Sequence, residues 1–338
     1  MVRERQQEII NGGMLKMLKL KDLEIGKSYV IPLVVLSATA RETKAKKPYL
    51  ALELYDGTDK ITANYWEWSG KVVPEKNTIL NVSGQVIEWQ GTKQLNVRGF
   101  TTNTEKHISE FMPSSSLDIA TVYKDAYELA SNIGDEFLRS LCLGVLDDLR
   151  SLWLTAPAAK GIHHAYAAGT LIHSLSVAQI AKSIAAAIPE ANEALVVAGG
   201  LLHDVGKLFG YRINGIVCEM TDEGKLFDHL FIGAEFVGNH AENLNLLKDT
   251  RAEAKLEILR HIILSHHGKQ EHGAVVSPVA LEAYIVFHAD AIDAAAEMIR
   301  DASKKVENSK WTEKIWALDN KPHLTTDYVQ AVMRGNIE

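Results

Sequence analysis

The chain holds only two cysteines in 338 residues, Cys142 and Cys218. Two isolated thiols exclude a disulfide framework and a zinc ribbon, so both are expected to be reduced core residues. No apolar run approaches the roughly 18 to 20 residues needed to cross a bilayer. The first 26 residues mix charges with short apolar patches, which is not the layout of a signal peptide. A cytoplasmic protein with no membrane partner is the expectation. Internal repeats and low-complexity tracts are also lacking. What remains, 46% apolar and 23% charged residues, is the composition of a soluble globular chain long enough for two domains.

Positive charge is scarce in the longer part of the chain. Residues 1–112 carry 16 basic and 13 acidic residues, net +3, whereas residues 113–338 carry 20 and 30, net −10. A protein that merely coats nucleic acid is usually basic across its binding surface, because phosphate contacts supply most nonspecific affinity. The acidic part also contains eleven of the thirteen histidines, between His163 and His288. Carboxylates and imidazoles together suit divalent cations.

Residues 27–100 read as five short strands: Tyr29 to Leu36, Tyr49 to Tyr55, Lys60 to Trp66, Ile79 to Trp89 and Lys93 to Phe100. Asp56-Gly57 and Gln90-Gly91 supply turns. Leu50, Leu52 and Leu54 alternate with Ala51, Glu53 and Tyr55, giving one buried face. Strand count and spacing predict a small OB-type β-barrel. The Phe111 to Ser116 stretch breaks the pattern, with Ser116 a candidate helix N-cap. Beyond it apolar residues recur at helical spacing to about Ile299, predicting an all-α bundle. The expected division is therefore an extension over 1–19, a barrel over 20–112, a helical domain over 113–310 and a tail over 311–338, a multi-domain α and β chain.

His203-Asp204-Val205-Gly206-Lys207 closes a helix expected to start near Glu193, with Gly206 as its terminator. Neighbouring helical residues point about 100° apart, so His203 and Asp204 flank one ion, and the second carboxylate oxygen of Asp204 can bridge to another. His173 lies in the apolar helix Thr170 to Ala187, and Asp290 in the helix Val279 to Met298. Two imidazoles and two carboxylates suit Mn²⁺, with Fe²⁺, Co²⁺ or Mg²⁺ as alternatives, one or two ions per chain. A lone histidine in an apolar helix is usually a hydrogen-bonded core residue. Four ligand-type residues spread over three apolar helices are harder to explain that way, since unpaired burial is costly. His229 and His266, sharing Asp204, are the candidates for a second ion. His267 is expected to face the scissile phosphate and Lys207 to neutralise a phosphate oxygen, while His163 and His164 are candidate substrate contacts. His240, His261 and His272 are read as structural or surface residues.

In the order Thr155 to Lys160, His163-His164-Ala165-Tyr166, His173-Ser174-Leu175-Ser176-Val177, Leu202 to Lys207, Ser265-His266-His267-Gly268 and His288-Ala289-Asp290, these segments resemble the HD-superfamily phosphohydrolases. Within them, the likeness is to the YhaM-type 3′-to-5′ exoribonucleases. Lys47-Pro48-Tyr49-Leu50 through Ala63-Asn64-Tyr65-Trp66 resembles the OB domain of that family, and the likeness spans about residues 20–305. The chain departs from the family where it has Ala168-Gly169 and Ile172 in place of a Gly-Gly pair and a glutamate before the first histidine. That departure bears on the metal count and the rate.

The resemblance implies metal-dependent hydrolysis of terminal phosphodiesters in single-stranded RNA or DNA, releasing nucleoside 5′-monophosphates from the 3′ end. On the barrel, Tyr65, Trp66, Trp68 and Trp89 are candidate stacking residues, and Lys44, Lys46, Lys47, Lys93 and Arg98 candidate backbone contacts. Aromatics in small barrels are more often core. Two alternatives stand beside this reading: a phosphohydrolase of small nucleotides or cyclic dinucleotides, and a noncatalytic single-strand-binding protein with a structural or decayed metal site. A homo-oligomer is compatible with each.

Overall fold

A computed structural model of the chain describes residues 18–111, 117–157, 168–214, 217–306 and 309–335. The chain divides into two compact units near residue 114.

The first unit is a closed five-stranded barrel in the order β1-β2-β3-β5-β4. Its strands are β1 (Ser28–Glu42), β2 (Pro48–Tyr55), β3 (Lys60–Tyr65), β4 (Ile79–Trp89) and β5 (Thr92–Thr102). All neighbours are antiparallel except β3 and β5. This is the OB-type barrel that strand count and alternation predict. β1 runs past the expected end at Leu36 because it serves two neighbours. It pairs β4 through Ser28 to Val34 and β2 through Val34 to Glu42, with an irregularity between Val35 and Ser37 where it turns from one to the other. Leu50, Leu52 and Leu54 all face the core, opposite Tyr65, Ala63 and Ile61. Gln90 and Gly91 have φ of 49° and 76°, the two positive values a tight hairpin turn requires. Residues 20–23, within the expected barrel span, pack into it, with Leu18 of the expected extension against the same core: Leu20 and Leu23 are buried there and the Leu20 N–H donates to the Asp56 carboxylate.

The second unit is the predicted helical bundle: α1 (Ile119–Ser131), α2 (Glu136–Asp148), α3 (Arg150–Trp153), α4 (Gly169–Ala185), α5 (Glu193–Leu202), α6 (Lys207–Gly210), α7 (Asp222–Asn243), α8 (Thr250–Ser265), α9 (Leu281–Lys304) and α10 (Thr326–Met333). Along the chain, a hairpin of β6 (Tyr211–Asn214) and β7 (Val217–Met220) falls between α6 and α7, within the expected break from Gly206 to Gly224. Side-chain caps start α1, α2, α5, α7 and α8: Asp118, Asp135, Asn192, Thr221 and Asp249 each accept from a backbone N–H in the first turn. The expected cap Ser116 lies outside the described residues. Residues 311–335 carry structure too, with bridges Trp311 to Leu324 and Ile315 to Lys321 leading into α10.

α5 is the central element, buried from Leu195 to Leu202. Two glycines bring the ligand-bearing elements against it. A Cβ on Gly200 would lie 2.5 Å from the Ala178 Cα, so glycine lets α4 approach α5 and sets His173 beside His203. Gly206 is not the left-handed terminator expected of it, for its φ is −63°. Its role is close approach instead: a Cβ there would sit 2.0 Å from the His229 carbonyl oxygen, so only glycine admits α7.

Candidate metal centre

α4 contributes His173, the end of α5 contributes His203 and Asp204, α7 His229, the end of α8 His266 and His267, and α9 Asp290. Ligand atoms of His173, His203 and Asp204 lie within 4.8 Å of one another, as do those of His203, His266 and Asp290, and those of His229, His266 and His267. Asp204 is the hub. Its Oδ2 lies 3.3 Å from His203 Nε2, 3.5 Å from His173 Nε2 and 2.6 Å from Lys207 Nζ, and its Oδ1 lies 3.3 Å from His229 Nε2 and 3.6 Å from His266 Nε2. Asp290 Oδ1 is 3.0 Å from His173 Nε2.

Four imidazoles turn the same edge inward because each has its Nδ1 tied from outside. His203 donates Nδ1–H to the Gly200 carbonyl at 2.8 Å, and His266 donates to the Ile263 carbonyl at 2.7 Å. A carbonyl only accepts, so Nδ1 carries the proton and Nε2 keeps a lone pair for an ion. His173 donates Nδ1–H to Asp293 Oδ2 at 2.7 Å, and the Ser176 hydroxyl holds the other Asp293 oxygen. His229 donates to Asp228.

The electrostatics follow from this crowding. Burial raises the Asp204 pKa, but Lys207 and His203 outweigh it and hold the group well below the usual carboxylate value. Asp290 behaves alike: burial is overcome by the His173 hydrogen bond and the charges of His203 and His173. Burial disfavours a charged His173, yet the hydrogen bonds it donates to Asp290 and Asp293, with Asp204 nearby, bring its pKa up to about 10. His267 goes the other way, to about 4, through burial and the neighbouring His266 and His229. Lys207 is raised, burial being outweighed by Asp204.

The donor set fits a divalent cation. Asp204 Oδ1, His229 Nε2 and His267 Nδ1 are buried without a hydrogen-bond partner, which is costly unless another group satisfies them. Neither buried cysteine, Cys142 or Cys218, joins the clustered donors among the described residues, so the set is hard to borderline in character.

Residues 170–295 match the family model of the HD domain. The matched span contains the whole imidazole and carboxylate cluster, and an HD domain supports a metal-dependent hydrolase. Among solved structures, the chain is similar to the second OB-fold domain of replication protein A from Methanococcus maripaludis, at 24% identity over 27% of this chain and 96% of that one, with a TM-score of 0.22.

The HD domain thus collects His173, His203, Asp204, Lys207, His229, His266, His267 and Asp290. His267, read from sequence as a phosphate contact, stands at ligand distance from His229 and His266. His163 and His164 lie outside the described residues. Ile172 packs half-buried on the helical core. The carboxylates that reach His173 from α9 are Asp290 and Asp293. Sequence reading missed Asp293, although its place three residues after Asp290 puts both on one helical face. Asp293→Ala is expected to lower Mn²⁺ affinity about 10- to 100-fold by freeing the His173 ring. Calorimetric titration checks this, with an unchanged affinity removing Asp293 from the site.

On the barrel, Trp66 and Trp89 are exposed, and Trp66 stacks on Tyr49 with centroids 4.5 Å apart. Tyr65 packs edge-on against Phe100 and is half-buried. Trp68 is core, its indole N–H donating to the Val72 carbonyl at 2.9 Å, which withdraws it from stacking. Lys47 and Arg98 are exposed, whereas the Lys93 ammonium donates to the Leu23 and Lys21 carbonyls at 2.7 and 3.3 Å. His240 is buried, and His261 accepts from the Val279 N–H at 3.0 Å, both structural roles.

Proposed function

We propose that the protein is a metal-dependent 3′-to-5′ exonuclease of single-stranded RNA, with DNA as a second substrate, releasing nucleoside 5′-monophosphates in the cytoplasm. Residues 113–310 would form the hydrolase domain and residues 20–112 the strand-binding domain. The observation that carries the reading is the convergence of four Nδ1-tethered imidazoles on the one carboxylate of Asp204. His173, His203, Asp204 and Asp290 would hold one ion and His229, His266 and Asp204 a second, with His267 beside it. A divalent ion bound there acidifies its water and polarises a phosphate oxygen, and so makes phosphodiester hydrolysis accessible at neutral pH. Lys207, fixed on Asp204, offsets charge that develops on the phosphate.

The barrel favours a strand over a free nucleotide as substrate. Trp66, stacked on the half-buried Tyr49, and Trp89 are exposed, and Lys47 and Arg98 offer exposed charges on a barrel of the type that binds oligonucleotides over its β2 and β3 face. Trp66→Ala is expected to weaken binding of a short oligonucleotide by about 1–3 kcal/mol. Fluorescence anisotropy with the wild-type protein beside it checks the loss.

The deciding experiment is digestion of a 5′-labelled single-stranded RNA with Mn²⁺, Mg²⁺ or chelator. A descending ladder that needs the metal is expected. Intact RNA together with turnover of small nucleotides would transfer the site to that substrate class, and binding without any cleavage would make the protein a strand-binding module.

A further inference from the structure

Asp228 has φ 59° and ψ 159° inside α7, where it separates two helical stretches. That backbone region is essentially restricted to glycine, and residues held there cluster at functional sites. The conformation lets one carboxylate oxygen accept from both the backbone N–H of His229, at 2.5 Å, and the His229 ring Nδ1–H. His203 and His266 need no such device. Each sits at the end of an intact helix and reaches the carbonyl three residues before it, Gly200 or Ile263. His229 opens a helical stretch just after a break, where no regular helical carbonyl lies behind its ring. We infer that Asp228 is a positioning residue, kept in a strained conformation so that its carboxylate replaces the missing helical carbonyl and aims His229 Nε2 at Asp204.

The inference rests on the reading of His229 as a metal ligand. Its side chain leaves Asp228 well exposed, at 62%, whereas that of His229 is 6% exposed. A substitution at Asp228 therefore need not open the core. Three variants separate strain from positioning. Asp228→Ala removes the carboxylate and retains the strain, Asp228→Gly removes both, and Asp228→Asn retains an acceptor oxygen.

Two measurements are made on the full chain. The first is the unfolding midpoint in chelator, and the second is calorimetric titration with Mn²⁺, with His229→Ala identifying the ion that His229 holds. The glycine variant is expected to melt a few degrees above the alanine variant. Both should bind the His229-dependent ion about 10- to 100-fold more weakly than wild type, while Asp228→Asn recovers most of that loss. Wild-type affinity in the alanine and glycine variants would overturn the positioning role, and a glycine variant no more stable than alanine would overturn the strain. A wild-type protein that takes up no Mn²⁺ sinks the metal reading and this inference together. One whose Mn²⁺ uptake responds to His229→Ala but not to Asp228 sinks the inference alone.

Discussion

Replacing Asp204 by alanine is expected to reduce metal-dependent cleavage by about 10³-fold or more, because the carboxylate serves both proposed ions and anchors Lys207. Each lost tenfold corresponds to about 1.4 kcal/mol of barrier, and metal coordination supplies several kcal/mol of charge stabilisation. A second effect should appear without any metal. Asp204 is 1% exposed and Lys207 17% exposed, and removing one member of a buried pair leaves the other uncompensated, at a cost of about 3–5 kcal/mol. Urea unfolding in chelator should therefore show a destabilised but folded variant. Initial rates with saturating Mn²⁺ on the labelled RNA give the catalytic loss. Full activity in a folded Asp204→Ala protein would exclude the centre from the reaction.

Mn²⁺ binding is expected to release a proton and to strengthen with pH. In the metal-free protein the buried His173 ring donates hydrogen bonds to Asp290 and Asp293, and its pKa is brought up to about 10. An ion can use Nε2 only after that proton leaves. The dissociation constant should accordingly fall about tenfold per pH unit above neutrality. Stability runs in the opposite sense without metal. A group raised from 6.5 to about 10 on folding contributes stability that is fully present below 6.5 and lost as pH rises through 10. The added midpoint from Mn²⁺ should thus grow between pH 7 and 8.5. Calorimetry in two buffers of different ionisation enthalpy reads the released proton directly, and a pH-independent affinity with no release would show that His173 gives up no proton to the ion.

Alternation in Leu50, Leu52 and Leu54 and the spacing of five strands made the barrel legible, because strand patterning is local and period two. Helical spacing did the same for the bundle. The hairpin of β6 and β7 and the segment from Trp311 to α10 carried no comparable pattern: the hairpin strands are four residues each, and the later segment is held by contacts distant in sequence, such as the Thr326 N–H on the Ser303 hydroxyl at 3.1 Å. Trp68 illustrates the same limit at a single residue. Nothing in its neighbours says whether an indole faces the core or a ligand.

By itself the sequence determined the two folding units and the inventory of ligand types, because residue chemistry and local periodicity are written along the chain. Only the tertiary structure decided how that inventory is arranged. It paired Asp293 with His173, placed His267 beside His229 and His266, turned Gly206 from a helix stop into a contact point, and set Asp228 in a conformation no propensity would assign. Each depends on backbone from another element, or on a break within one, approaching to a few ångströms, and such approach follows from packing of the whole unit rather than from neighbours in sequence.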